Sequence, residues 1–396
     1  MATKSGLLKK AKMNKDTQDI LDFMKVNLKS TMLAGSLNAA QQQMIEIAKV
    51  ISQNAKVVIM DEPTSSLSEH EIEALFEQIR ILREKNVSII YITHRMKELE
   101  EVCERVTVLR DGCKVDTMMV KDVTVQQIVN SMVGREMGDY YNKHHHTRGE
   151  EMLRVEGLTR KGVFEDISFS AYAGEILAFS GLVGSGRTEV MEAIFGATRL
   201  DSGKIFLRGE EVHLDTPSRA IGKNIGLVTE DRRRTGLLLA KNIVENTSLP
   251  SLPGHASKLG FVNRAWEKQV TKEYMDKLRV KAPDMYTILN TLSGGNQQKV
   301  ILGKWLAADS NILILDEPTR GIDVNARSEF YALMHDFVSE GGAIIMISSE
   351  MPEVIGVADR VLVMREGRIS GELLEGEINE QALISLASIA TDTPAA

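Results

Sequence analysis

The sequence predicts an α/β protein built from two copies of one domain, with mixed, mainly parallel sheets and the first copy incomplete. Three observations lead there. A strand-like run ending in an acidic pair occurs twice, as Val57-Val58-Ile59-Met60-Asp61-Glu62-Pro63-Thr64 and as Leu313-Ile314-Leu315-Asp316-Glu317-Pro318-Thr319. Short apolar runs such as Ile312–Leu315 and Ala343–Ile347 have the length of parallel strands buried on both faces. One further run passes through closely spaced glycines into a helical pattern, the strand–loop–helix order of nucleotide-binding α/β sheets.

The repeat keeps one register. Asp61 to Asp316 is a shift of 255 residues, and the same shift carries Glu98 to Glu353, Arg105 to Arg360 and Gly112 to Gly367. It also lays Leu37-Asn38-Ala39-Ala40 on Leu292-Ser293-Gly294-Gly295. One offset held over about 75 residues marks a duplication. The glycine loop opens at Gly181, so its counterpart is expected about 74 residues upstream of Met1. Residues 1–137 then read as the C-terminal half of copy one, and residues 152–389 as a whole copy two whose first strand lies in LRVEGLTR. Between them, residues 138–151 (GDYYNKHHHTRGEE) are polar and unpatterned and read as a solvated linker. The triple histidine is assigned to that linker, because no cysteine or carboxylate cluster completes a metal site. Residues 390–396 read as a flexible tail.

Composition narrows the classes. Of 396 residues, 43% are apolar and 26% charged, an ordinary globular balance. The net charge of -7 argues against a nucleic-acid coat. Cys103 and Cys113 belong to no pairing motif, which suits a reducing compartment. No apolar run approaches the roughly 20 residues of a membrane helix. The basic N-terminus lacks the apolar stretch and cleavage site of a signal peptide. A membrane role must therefore come through a partner.

The chemistry concentrates in copy two. The strand Glu175–Ser180 leads into Gly181-Leu182-Val183-Gly184-Ser185-Gly186-Arg187-Thr188, then a helix with Val190, Met191, Ile194 and Phe195 on one side. Glycines let successive N–H groups turn toward a phosphate, and the helix start adds its positive end. Thr188 is the expected Mg²⁺ ligand. Arg187 departs from the pattern, standing where a compact lysine belongs. Asp316 and Glu317 emerge at the C-terminal end of their strand, where open sheets place ligands. Asp316 is assigned to Mg²⁺ and Glu317 to the attacking water as general base. After Glu230 come Asp231 and three arginines, Arg232 to Arg234; such a basic triplet resembles a nucleic-acid patch, but its flanking acids favour a solvated loop.

Leu292-Ser293-Gly294-Gly295-Asn296-Gln297-Gln298 resembles the signature motif of ABC-type ATPases. Ser293 reads as a helix N-cap and the two glycines as a surface for close approach. The resemblance covers nearly the whole chain and is closest to the twin-cassette ATPases of ribose, galactose and related monosaccharide importers. It rests on LSGGNQQK paired with GLVGSGRTE and on a substituted first signature. It implies two P-loop cassettes, ATP and Mg²⁺, integral membrane permease subunits and, indirectly, an extracytoplasmic sugar-binding protein. It also implies a peripheral place on the cytoplasmic membrane face and no nucleic-acid partner. The nucleotide-contacting set becomes Gly181, Gly184, Ser185, Gly186, Arg187, Thr188, Glu189, Glu230, Ser293, Gly294, Gly295 and Gln297, with Thr188, Asp316 and Asp61 at the metal.

In that family each ATP lies between one cassette's P-loop and the other's signature helix, within one chain or with a second copy. The resemblance then implies unequal sites. Asp61, Glu62 and His94, the switch histidine, would face Ser293, Gly294 and Gly295. Arg187, Asp316, Glu317 and Ser349 would face the weakened Asn38-Ala39-Ala40, with Ser349 in the switch position. Two rival readings remain at this point. One is a soluble twin-cassette protein acting on ribosomes or DNA; the other is a truncated, non-catalytic remnant.

Overall fold

The computed structural model describes every residue except 1–8, 25, 27, 38, 54, 65–68, 94–95, 111, 134–139, 142, 144–146, 183, 258 and 389–396. The chain divides into two compact units, Met1–Gly134 and Arg135–Ala396.

The first unit runs α1 (Lys10–Phe23), α2 (Ala39–Ser52), β1 (Val57–Asp61), α3 (Glu69–Glu84), β2 (Ser88–Ile92) and α4 (Met96–Val102). The hairpin β3 (Arg105–Arg110) and β4 (Cys113–Met119) and then α5 (Val125–Val133) complete it. Leu75, Ile79 and Leu82 recur at the spacing of one helix face, with Phe76 beside them, and bury α3 against Leu21, Met24 and Ile47. The same cluster takes up Val58 and Met60 from β1. β1 and β2 pair in parallel, Val57 opposite Ser88 and Asp61 opposite Ile92, with α3 as the crossover. On their other face Val57 and Ile59 are 56% and 67% exposed among the described residues.

The second unit begins with β5 (Glu151–Arg160), β6 (Phe164–Tyr172), β7 (Glu175–Gly181) and α6 (Arg187–Ile194). It continues through β8 (Ser202–Leu207), β9 (Glu210–Val212), α7 (Pro217–Ile221) and β10 (Ile225–Val228). Helices α8 (Ile243–Ser248), α9 (Leu252–His255), α10 (Arg264–Lys277) and α11 (Gly294–Leu306) follow. Last come β11 (Ile312–Asp316), α12 (Val324–Ser339), β12 (Ala343–Ile347), α13 (Met351–Val357), β13 (Arg360–Arg365), β14 (Arg368–Leu374) and α14 (Glu380–Ser388). Six strands form one sheet in the order β10-β11-β12-β7-β13-β14. All neighbours are parallel except β13 and β14. A four-stranded antiparallel sheet, β6-β5-β8-β9, accompanies it. Every residue of β11 and β12 is buried, as their unbroken apolar runs require.

One segment behaves differently from its sequence reading. Tyr140 and Tyr141 pack edge to face, 4.8 Å apart, and lie 5.8 and 5.4 Å from the ring of buried Tyr331. A side chain on Gly356 would collide with the Tyr141 ring. Lys143 donates to the Ala358 carbonyl at 2.9 Å. This part of the expected solvated linker is thus docked on the second unit. Its two aromatic rings bring enough apolar surface to outweigh the polar residues around them. The triple histidine and residues 390–396 lie outside the described residues.

Candidate nucleotide site

The glycine loop joins the C-terminal end of β7 to α6, as expected. A Cβ on Gly181, whose φ is +142°, would fall on the Met364 carbonyl oxygen. Gly186 precedes α6 at φ +97°, in the left-handed region that lets the helix start turn back over the strand. Gly184 is exposed, Ser185 is buried with no partner for its Oγ among the described residues, and Glu189 lies half-buried in the first turn of α6.

Across the loop stands the acidic pair. Thr188 donates its hydroxyl to Asp316 Oδ2 at 2.8 Å, while buried Asp316 Oδ1 has no partner among the described residues. Glu317 has φ +47°, an uncommon backbone for a side chain of its size, and is fixed there by its N–H donating to Ile347 O at 3.0 Å. Burial pushes the Asp316 carboxyl up to about 6, partly offset by the Thr188 hydrogen bond. Burial likewise pushes Glu317 up to about 7, against a hydrogen bond from Ser349 that favours its charged form. Ser349 and Glu317 are therefore brought together. Arg187 turns inward instead of toward the loop mouth and donates to Ser348 O at 3.0 Å. Burial pulls its pKa below the ordinary guanidinium value, with Glu317 and Asp316 opposing the shift.

The signature segment forms the start of α11. Ser293 occupies the N-cap of α11, yet its Oγ accepts from the Asn296 side chain at 2.9 Å and caps no backbone N–H. The glycines meet the protein itself. A Cβ on Gly294 would lie 2.6 Å from Gly321 O and 2.7 Å from Arg232 Nη2, and one on Gly295 would lie 2.6 Å from Ala326 Cβ. Packing inside the unit already forbids larger residues. Gln297 is buried, and its amide donates to Leu289 O and Leu292 O at 3.0 and 3.2 Å. That holds the turn before α11, a task sequence reasoning did not assign. Glu230 is exposed and ion-paired with Arg320.

In the first unit, Asp61 and Glu62 are exposed at the end of β1. Glu62 repeats the strained geometry, with φ +44° and its N–H on Ile92 O at 2.9 Å. Asn38 and His94 lie outside the described residues, as do the side chains of Ala39 and Ala40. Sequence reasoning passed over Glu98 and Glu353 as mere landmarks. Each is a buried carboxylate accepting a hydroxyl from the threonine after the acidic pair, Thr64 at 2.6 Å and Thr319 at 2.8 Å. Their shared offset was the available signal.

Comparison with known proteins decides the family. Residues 164–320 match the ABC transporter family. The ribose import ATP-binding protein of Geobacillus kaustophilus is 46% identical over 97% of this chain and 78% of its own length. The chain belongs to the ATP-binding subunits of carbohydrate-importing ABC transporters. The ribose import ATP-binding protein of Bacillus subtilis is 43% identical over 98% of the chain and 78% of its length. A putative ribose/galactose/methyl galactoside import ATP-binding protein of Agrobacterium fabrum is 45% identical over 97% and 75%. The crystal structure of a nucleotide-free ATP-binding cassette from an ABC transporter aligns with TM-score 0.51 at 19% identity, over 60% of this chain and 96% of that one. It shows the fold, one ABC cassette with mixed sheets. The family makes the chain an ATPase, and neither the ribosome- or DNA-directed reading nor the inactive remnant finds support among these relatives.

Proposed function

We propose that the chain hydrolyses ATP to energise import of a monosaccharide, ribose or a close relative, through membrane permease subunits. The sugar class is taken from the names of the relatives, several of which are ribose import proteins. One observation carries the chemistry: Thr188 bonded to Asp316 across a glycine loop, with Asp316 Oδ1 unpaired and Glu317 beside it.

These donors fit Mg²⁺. A hydroxyl and a carboxylate with a spare oxygen are hard oxygen ligands, and Ser185 Oγ waits unpaired in the same loop. When bound, the metal supplies charge neutralisation on the phosphate oxygens of ATP. The loop's backbone N–H groups and the start of α6 would bind those phosphates. Glu317 would orient the attacking water and take its proton.

The finer reading keeps two unequal half-sites on two cassettes, the second spanning 152–389. Asp61, Glu62 and His94 with Ser293, Gly294 and Gly295 would form the hydrolytic one. Arg187, Asp316, Glu317 and Ser349 would bind ATP and turn it over slowly. Two features support slow turnover: the inward Arg187 and a serine at the switch position. Among the described residues no helix is long and apolar enough to cross a membrane. Attachment to the cytoplasmic face is accordingly assigned to the permease, with an extracytoplasmic binding protein delivering sugar.

The test is ATP hydrolysis and ribose uptake by the subunit assembled with its permease in vesicles. Glu62→Gln should leave the turnover of this chain unchanged, and Glu317→Gln should change it by less than about threefold. Brisk hydrolysis abolished by Glu317→Gln would sink the assignment of the two sites.

A further inference from the structure

The acid-flanked arginine triplet does not behave as one solvated loop. Arg233 and Arg234 are exposed, as expected, but Arg232 turns inward. Asp231 arranges this: its Oδ1 accepts from the N–H groups of Arg233 and Arg234, both at 3.1 Å, and folds the chain into a tight turn. The Arg232 fork then reaches across to the segment after the acidic pair. Nη1 donates to Arg320 O at 2.6 Å and Nη2 to Gly321 O at 2.9 Å. Glu230, two residues earlier, closes an ion pair with the Arg320 side chain.

Two further contacts extend the connection. The N–H of Arg320 donates to Glu317 O at 3.1 Å, so the turn that Arg232 grips is tied to the backbone of the acidic pair. On its other side Nη2 abuts the first residue of α11, since a Cβ on Gly294 would come within 2.7 Å of it. The far end of the loop is also held to α11, by buried Lys304 donating to Gly236 O at 2.7 Å.

Stability alone is a poor reason for this arrangement. A cation near the start of a helix opposes the helix dipole. Burial, with Arg233 adding to it, pulls the Arg232 guanidinium below its ordinary value, and only Asp231 opposes the shift. What the guanidinium offers is two donors in a rigid fork, able to hold two successive carbonyls at once, which an ammonium does not provide in the same geometry.

We propose that Arg232 is a positioning residue, a latch that makes the Glu230 loop, the turn after Glu317 and the start of α11 move as one body. A displacement of the Glu230 loop then changes the setting of both Glu317 and Gly294. The role in turnover rests on the ATP-hydrolysis reading above; the mechanical coupling does not.

The test measures two things on Arg232→Gln and Arg232→Lys: ATP turnover by the subunit assembled with its permease, and amide hydrogen exchange on the full chain without nucleotide. In both variants kcat should fall by about tenfold or more, with KM for ATP within about twofold. Amides of residues 294–297 and 319–322 should exchange several-fold faster, while those of 176–180 in β7 stay as they were. Unchanged exchange in Arg232→Gln, or full recovery of both readouts in Arg232→Lys, overturns the latch. If Arg232→Gln does not fold, Arg232→Lys alone decides by the same readouts. A wild-type assembly without ATPase activity would count against the functional reading, and the exchange result would still judge the latch.

Discussion

The acidic pair and its flanking strands occur in both units, and the two settings agree in backbone while differing in burial. Glu62 and Glu317 adopt φ +44° and +47°, and each donates its N–H to the last residue of the neighbouring parallel strand. Asp61 lies opposite Ile92 and Asp316 opposite Ile347. Thr64 and Thr319 give their hydroxyls to Glu98 and Glu353. The surroundings diverge. In the second unit β10 and β7 extend the sheet on either side, and β11 and β12 are buried throughout. Among the described residues, β1 and β2 pair only with each other; β1 alternates between buried and exposed positions, and β2 between half-buried and exposed ones. The pose of the carboxylate is thus a local property of two strands and a threonine. Its desolvation, and with it the raised proton affinity of Glu317, belongs to the sheet around it.

The largest test of that division pairs positions 59 and 314, equivalent under the repeat. Ile314 is fully buried and Ile59 is mostly exposed. Ile314→Ala should cost about 2–5 kcal/mol and Ile59→Ala less than about 0.5 kcal/mol, read from denaturant-dependent hydrogen exchange in each unit. Equal costs would show that the face of β1 is covered in solution. Next comes the local part. Thr64→Val and Thr319→Val each leave a buried carboxylate short of a partner, and each should cost roughly 1–3 kcal/mol. Values differing by more than about 2 kcal/mol would mean that the threonine clasp depends on the wider sheet after all.

A smaller effect follows from the proton held by Glu317. Its carboxyl titrates at about 7 in the folded protein, above the ordinary value of 4.5. The folded state therefore binds a proton that the unfolded chain releases, and stability falls as pH rises through that window. Above it the penalty is complete. Glu317→Gln removes the titration and should stabilise the nucleotide-free protein at pH 8 relative to wild type by on the order of 1 kcal/mol. The difference should shrink toward pH 5. A thermal-melting series whose wild-type and variant curves run parallel across pH 5–8 would place the Glu317 carboxyl in water.

How much of this was legible in the sequence depends on the kind of force involved. The unbroken apolar runs of β11 and β12 disclosed strands buried on both faces, because such strands have no polar side to display. The single offset of 255 residues disclosed the duplicated clasp, even though Glu98 and Glu353 were only landmarks. Arg232 was illegible. Charge patterning sends three adjacent arginines to water, and only the Asp231 turn, a tertiary detail, sends one of them inward. The paired glycines were read as a surface for close approach, and within the unit Gly321, Arg232 and Ala326 lie against them. Tyr140 and Tyr141 were lost in a polar string for a related reason, since their partners Tyr331 and Gly356 lie far along the chain.

The bare face of β1 and β2 sharpens the comparison last. Ile59 and Ile90 are register partners, 67% and 52% exposed, so two β-branched side chains stand together against solvent. An exposed apolar pair on a short parallel sheet favours self-association. Threonine keeps the branched Cβ that suits a strand while replacing a methylene-bearing arm with a hydroxyl. The double change Ile59→Thr with Ile90→Thr should therefore cost less than about 1 kcal/mol and reduce light scattering by concentrated protein. Position 314 gives the contrast: Ile314→Thr buries an unpaired hydroxyl and should cost about 3 kcal/mol or more. A comparable loss from the double change in the first unit would mean that something covers this face in solution, and the difference between the two settings would be smaller than their described surfaces indicate.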